Sequence, residues 1–167
     1  MKNPLTRLFI IGFLFTAVLG TLSHFLYDWS GQNIIVGLFT PINESIWEHI
    51  KLLFFPMLLF TLFAVYRYGK QNLRLAPALL WGILFGSLLI PMLYYTYTGA
   101  FGIHLSAIDI TIYYVCALAA FLFAYLSLTN CTIPDTIFLP RLLVLALFAA
   151  FIVFTFVPPS LPLFTVP

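Results

Sequence analysis

The side chains that could do chemistry in this chain fall near one set of predicted helix ends. They are His24, Asp28, Glu44, Glu48, His49, His104 and Asp109. The basic residues near the opposite ends are Lys2, Arg7, Arg67, Lys70, Arg74 and Arg141, and only Lys51 joins the acidic group. An ionised group close to hydrocarbon costs several kcal/mol unless it is paired, hydrated or bound to a metal. The sequence therefore predicts a polar site at one end of an otherwise apolar molecule.

His24 and Asp28 are four residues apart, a spacing that places both side chains on one face of a continuing helix. The pair suits a shared metal ion. It suits equally well a carboxylate that orients a histidine through a hydrogen bond. The structural alternative is an ion pair that anchors the helix end at the membrane surface.

A second dense segment runs from residue 43 to residue 51 and contains Glu44, Glu48, His49 and Lys51. Glu44 and Glu48 are again four apart, and we expect one of them to act as a general base. The structural alternative is that early carboxylates favour a helix amino terminus, and that Glu48 and Lys51 form an ordinary helical salt bridge. These effects account for one or two residues of the segment rather than for all of it.

His104 and Asp109 form a third group. Ser106 and Asp109 fit a variant of the capping box at the start of a helix, which would be sufficient to explain Asp109. His104 precedes that helix in a glycine-containing loop, where it either faces solvent or turns towards the other histidines.

Imidazole and carboxylate together are the ligands that zinc prefers, and a catalytic zinc site leaves one position open for water. We therefore expect a divalent metal such as zinc, with ligands drawn from His24, Asp28, His49 and His104. The spacing matches no strict metal-binding motif, since neither His-Glu-x-x-His nor His-x-x-x-His occurs. The leading hypothesis is a metal-dependent membrane hydrolase that acts on a lipid-like or envelope substrate.

The composition places the chain among integral membrane proteins. Hydrophobic residues make up 63% of it and charged residues 7%, and its mean hydropathy is +1.10. A net charge of +2 is too small to indicate nucleic acid as a partner. The bilayer is the expected partner, and we expect a multi-pass protein of the cell membrane. Cys116 lies in a predicted span and Cys131 in a predicted loop, so no disulfide is expected.

Five apolar segments predict an all-α, polytopic helical bundle that forms a single domain. The predicted spans are 5–27, 41–68, 75–97, 107–128 and 138–157. The basic residues place the amino terminus inside the cell and the carboxyl terminus outside. The first span resembles a signal peptide, but no Ala-x-Ala site follows it, so we interpret it as an uncleaved helix.

Three local patterns refine this outline. Thr40 followed by Pro41 predicts the amino-terminal cap of the second long helix. Residues 29–39 form an apolar connection that we expect to dip into the interface or to cover the polar cluster as a lid. Ala78, Gly82 and Gly86 form a stripe of small residues that allows close helix packing, either within one chain or between two copies of a homo-oligomer.

Residues 24–33 (HFLYDWSGQN) and 36–51 (VGLFTPINESIWEHIK) resemble a family of small bacterial integral-membrane proteins. That resemblance implies no activity, because the family is known as a domain of unknown function. Ser23, His24 and Asp28 also resemble, in type, the residues of the alkaline ceramidase and adiponectin-receptor superfamily of intramembrane zinc hydrolases. Five spans instead of seven separate this chain from that superfamily, and no residue role is carried over.

Two other functions fit the same residues. The first is a binding or transport subunit that captures a cationic or small polar ligand from outside. The second is a structural membrane subunit, in which the acidic and histidine residues only anchor helix ends. Bound metal, a bound solute or neither would distinguish the three hypotheses.

Overall fold

A computed structural model describes residues 4–130 and 136–166, and the regular secondary structure of this part of the chain is entirely helical, with no strand. The helices are α1 (Pro4–Trp29), α2 (Ile34–Gly37), α3 (Ile46–Tyr68), α4 (Leu75–Phe101), α5 (Ser106–Thr129) and α6 (Phe138–Phe156), followed by a 3₁₀ turn at Pro162–Phe164. All but α2 are long and apolar enough to cross a membrane. The predicted fold class, a multi-pass all-α bundle, is confirmed.

Helix α3 begins later than the sequence pattern predicts. Its amino-terminal cap is Ser45, whose hydroxyl accepts a hydrogen bond from the Glu48 amide. The Thr40 hydroxyl instead donates to the Val36 carbonyl and so closes the preceding turn. The cap predicted at Thr40 and Pro41 is therefore wrong, because Ser45 offers a competing cap. The helix has 23 residues and is about 34 Å long at 1.5 Å per residue.

The long helices run alternately up and down. Thr6, near the start of α1, lies 3.2 Å from the Tyr125 hydroxyl near the end of α5. His24, near the end of α1, lies beside His49, near the start of α3. The ends of α1, α4 and α6 and the starts of α3 and α5 therefore share one side of the bundle. We call this side the histidine end.

Small residues allow the helices to approach closely. A side chain at Gly20 of α1 would collide with the Tyr113 hydroxyl of α5 and the Leu52 carbonyl of α3. A Cβ at Gly82 would lie 2.8 Å from the Ala120 carbonyl of α5, and one at Gly86 would lie 2.8 Å from the Ala120 side chain. The small-residue stripe of α4 is therefore used inside this chain, for packing against α5.

The connection between α1 and α3 does not cover the histidines. None of residues 29–39 lines the cavity described below. Ile34 and Ile35 are exposed, and Phe39 packs edge-on against Phe55 of α3. The predicted lid is therefore wrong, and the exposed isoleucines agree with the other expectation, contact with the membrane interface. Cys116 is buried as a free thiol, and Cys131 lies outside the described residues.

Candidate functional site

A cavity of about 570 Å³ opens among α1, α3, α4 and α5 at the histidine end. Its walls are mainly apolar, and the residues that form them include Phe25, Leu52, Ile90, Ile110 and Ile112. All three histidines of the chain line it, together with Glu44 and Asp109. An apolar cavity with a few convergent polar groups is the usual form of a small-molecule site.

The first polar group of the cavity consists of His24, Glu44 and His49. Glu44 Oε2 lies 3.3 Å from His49 Nε2 and 3.7 Å from His24 Nε2. Each residue offers one ligand atom, and these atoms lie within 4.8 Å of one another. Glu44 is 64% exposed, whereas the two histidines are partly buried. We call this group the His–Glu–His cluster.

Local structure orients the cluster. His49 Nδ1 lies 2.9 Å from the Ser45 carbonyl, which can only accept a hydrogen bond. The Ser45 contact places a proton on Nδ1, so Nε2, the nitrogen nearest Glu44, is the atom with which a neutral His49 ring would bind a metal. A backbone carbonyl that fixes the tautomer in this way is typical of histidines that bind metals. Two imidazoles and one carboxylate also match the ligand set of a catalytic zinc site.

The second polar group lies on the α4–α5 side of the cavity. His104 Nε2 is 2.9 Å from Asp109 Oδ2, and the Tyr97 hydroxyl donates to Asp109 Oδ1 at 2.6 Å. Helix α5 begins after Leu105 without a side-chain cap, so the predicted capping box of Ser106 and Asp109 is wrong. The Asp109 carboxylate binds Tyr97 and His104 instead. His104 is 44% exposed and faces the cavity rather than only the solvent.

Glu48 and Lys51 lie apart from the cavity in a buried network. Lys51 Nζ donates to Glu48 Oε2 at 2.6 Å and to the Thr155 hydroxyl at 2.7 Å. It also donates to the Gly37 carbonyl at 3.0 Å, while Glu48 Oε2 accepts from the Ile42 amide at 3.0 Å. Lys51 is fully buried and Glu48 is 3% exposed. The network ties α3 to α6 and to the connection after α2.

The structure thus gathers some predicted residues and separates others. His24, Glu44 and His49 converge, and His104 reaches the same cavity as part of a different group. Asp28 is exposed and makes no ion pair within the described ranges, so it does not join His24. Ser23, one of the residues that resemble those of the ceramidase superfamily in type, is buried and donates to the Gly20 carbonyl at 2.8 Å.

Sequence reasoning missed the roles of Tyr97 and Thr155. Tyr97 belongs to a tyrosine-rich helix end that is typical of a membrane interface, and that pattern concealed its bond to Asp109. Thr155 is separated from Lys51 by 104 positions, and no signal in the sequence connects the two.

Comparison with curated proteins and with solved structures gives no match. One family model matches residues 1–166, and its description is "Family of unknown function". The match agrees with the expectation of a family of unknown function, and it covers nearly the whole chain. This chain therefore belongs to the family of unknown function DUF6512.

Proposed function

We propose that this protein is a zinc-dependent membrane hydrolase acting on a lipid-like substrate. The convergence of His24, Glu44 and His49 at the mouth of an apolar cavity carries the proposal. Three protein ligands with an open fourth position are the usual arrangement of a catalytic zinc site. Zinc bound there would polarise a substrate carbonyl and make water a better nucleophile at neutral pH.

The geometry changes the role that we assign to Glu44. Its carboxylate lies between two imidazoles, so we assign it as a third ligand rather than as the general base. Glu48 is already engaged by Lys51 and the Ile42 amide in the interior, away from the cavity. It supports the fold next to the site and takes no part in the proposed chemistry.

The walls of the cavity support a substrate that comes from the bilayer. Phe25, Ile110 and Tyr114, on α1 and α5, line it and have exposed side chains. In a membrane-spanning helix an exposed apolar side chain faces lipid. The cavity therefore borders the bilayer between these two helices, where an acyl chain could enter without passing through water.

We also propose that the site faces the outside of the cell membrane. Arg7 precedes the apolar part of α1, and Arg67, Lys70 and Arg74 lie around the connection between α3 and α4. These residues are at the end of the bundle opposite the histidines. Because basic residues are retained on the cytoplasmic side, the histidine end is expected outside.

Metal analysis of the purified protein tests the proposal. We expect about one zinc ion per chain in detergent-purified protein, and hydrolysis of a nitrophenyl ester of a medium-chain fatty acid. A chelator is expected to abolish hydrolysis and to lower the melting temperature, and added zinc to restore both. His24→Gln and His49→Gln should each lose metal, whereas Asp28→Asn, a matched exposed residue, should keep it. Protein without stoichiometric metal, whose melting temperature does not respond to chelators, would refute the proposal.

One observation favours the alternative of a solute-binding or transport subunit. The described residues that line the cavity include two carboxylates but no lysine or arginine, so a small cation would be attracted there. In that case a cationic solute binds to metal-free protein, Glu44→Gln abolishes its binding, and no ester is hydrolysed. A purely structural role would leave both metal binding and solute binding absent.

A further inference from the structure

We propose that His104 is the proton-transfer residue of the cavity, positioned by Asp109 and Tyr97, and that it serves the hydrolysis of carboxylic esters or amides. The inference rests on the proposed function and adds a catalytic residue and a substrate class to it. It also gives His104 a role other than the metal ligand that the sequence suggests.

The hydrogen bonds of Asp109 decide which nitrogen of His104 is free. A carboxylate only accepts, so the 2.9 Å contact with Asp109 Oδ2 places the proton of the neutral ring on His104 Nε2. His104 Nδ1 then carries a lone pair, and this atom has no partner among the described residues. A histidine held by a carboxylate through one nitrogen and free at the other is the arrangement of a general base.

Tyr97 makes the carboxylate rigid. Its hydroxyl donates to Asp109 Oδ1 at 2.6 Å and lies 3.5 Å from the Leu105 amide. Tyr97 is buried at the end of α4, whereas Asp109 is in the first turn of α5. Both carboxylate oxygens of Asp109 are therefore engaged by protein. His104 is held against a fixed support although it lies in a loop.

The same bonds argue against a shared metal site. Each oxygen of Asp109 already accepts a hydrogen bond from protein, and neither Asp109 nor His104 belongs to the His–Glu–His cluster. The cavity therefore holds two separate acid–histidine groups, one near α1 and α3 and one near α4 and α5. Two titratable groups in different environments are a recurring basis for dividing roles in catalysis.

The charge of the cavity restricts the substrate. Enzymes that act on phosphate esters hold the phosphoryl oxygens with arginine, lysine or several metal ions. The described lining carries Glu44 and Asp109 but no arginine or lysine, which disfavours an anionic phosphate group. A neutral carbonyl compound with an apolar chain fits both the charge and the walls. We therefore assign the substrate as an uncharged ester or amide of a membrane amphiphile.

The proposed step uses the free nitrogen twice. His104 Nδ1 takes a proton from water as the water oxygen forms a bond with the carbonyl carbon. The bond from that carbon to the leaving oxygen or nitrogen then breaks, and His104 returns the proton to the leaving group. One water is consumed, and the products are a carboxylic acid and an alcohol or amine. Asp109 stays ionised throughout and stabilises the charged ring.

Substitution of each partner tests this assignment with zinc content and hydrolysis measured on the same samples. We expect His104→Gln to lower kcat roughly 100- to 10,000-fold for the medium-chain nitrophenyl ester, the usual contribution of a general base. Zinc content should remain at the wild-type level. Asp109→Asn should lower kcat with little change in KM, and Tyr97→Phe should have a smaller effect in the same direction. Imidazole in the buffer should partly restore His104→Gly, a response that a structural residue would not give.

The outcomes separate the two proposals. If wild-type protein binds zinc and hydrolyses the ester but His104→Gln does so equally well, the role of His104 is refuted and the hydrolase proposal stands. If His104→Gln loses its zinc, His104 is a ligand and the inference is wrong. If wild-type protein has neither zinc nor activity, both proposals fail together. A nitrophenyl phosphate diester hydrolysed faster than the carboxylic ester would refute the substrate class alone.

Discussion

Two acid-containing groups of this protein lie side by side in sequence and have opposite surroundings. Glu48 is buried in the interior, where its carboxylate accepts hydrogen bonds from Lys51 and the Ile42 amide. Lys51 in turn donates to the Thr155 hydroxyl. His49, the next residue, turns towards a cavity and meets the exposed carboxylate of Glu44. The first group is closed to ligands, whereas the second leaves ligand atoms available.

The difference lies in which face of α3 each side chain occupies. Successive residues of a helix are rotated by about 100°, so Glu48 and His49 point to different neighbours. Glu48 faces α6 and the connection from α2, where its side chain is almost completely buried. His49 faces α1 and the cavity. Similar acid and base types therefore stabilise the fold on one face and form a candidate site on the other.

The largest effect is expected from removing the cation of the buried network. Lys51→Met leaves Glu48 with an uncompensated charge in the interior, and we expect a loss of about 3–5 kcal/mol in the free energy of unfolding. Thermal or denaturant unfolding in detergent measures this. The double variant Glu48→Gln/Lys51→Met should recover much of the loss because no lone charge remains. A double variant as unstable as Lys51→Met would contradict the idea that the pair, rather than each residue, is required.

The corresponding change in the His–Glu–His cluster should lower zinc affinity and leave the stability of the protein unchanged. Glu44→Gln removes a metal ligand in our proposal, and we expect zinc affinity to fall by more than the roughly 10- to 100-fold caused by losing an outer partner of a ligand. The melting temperature of the metal-free protein should stay unchanged, since Glu44 is largely exposed. Zinc titration and thermal unfolding of the same variant check this. If metal-free Glu44→Gln were much less stable than the metal-free wild-type protein, Glu44 would be a structural residue like Glu48, and the difference between the two groups would not hold.

A smaller loss of stability is expected when the buried hydroxyl of Thr155 is removed. Thr155→Val removes the hydroxyl that accepts from Lys51, and hydrogen bonds to charged groups contribute about 1.5–3 kcal/mol. The control is Thr21→Val, which removes an exposed hydroxyl that lies 2.8 Å from the Tyr114 hydroxyl beside the cavity. It should leave the free energy of unfolding nearly unchanged. Equal losses in the two variants would show that burial does not separate the two regions.

The smallest loss of stability is expected from substitution of Ser45, which contacts both groups. Its hydroxyl caps α3, and its carbonyl binds His49 Nδ1. Ser45→Ala removes only the hydroxyl, so we expect a loss of about 1 kcal/mol in stability. Zinc affinity should not change, because the carbonyl that orients His49 is retained. Ser45→Gly, which costs only a few tenths of a kcal/mol at a cap, is the control. A fall in zinc affinity in Ser45→Ala would indicate that the cap positions the cluster.

The number of long helices, their approximate bounds and the end of the bundle that holds the histidines all follow from the sequence. A run of about 20 apolar residues has few alternatives in a membrane, and polar residues near its ends stand out against it. The start of α3 does not follow, because Thr40 and Ser45 both have the chemistry of a cap. Hydrogen bonds of the connection decide between them: the Thr40 hydroxyl donates to the Val36 carbonyl, and the Ser45 amide donates to Asn43 Oδ1.

The acidic and histidine residues were visible in the sequence as a set, but their division into groups was visible only in part. Spacing along one helix placed Asp28 with His24 and Glu48 with both Glu44 and Lys51. The Glu48–Lys51 pair is confirmed. Contacts between distant segments instead place Glu44 with His24 and add Thr155 to the Glu48–Lys51 pair. The residue types and the periodicity of α1 and α3 determine which side chains reach the histidine end. Which of them meet depends on how α1, α3 and α6 are rotated against one another. That rotation is fixed by close packing at residues such as Gly20, and it has no signature in the local sequence.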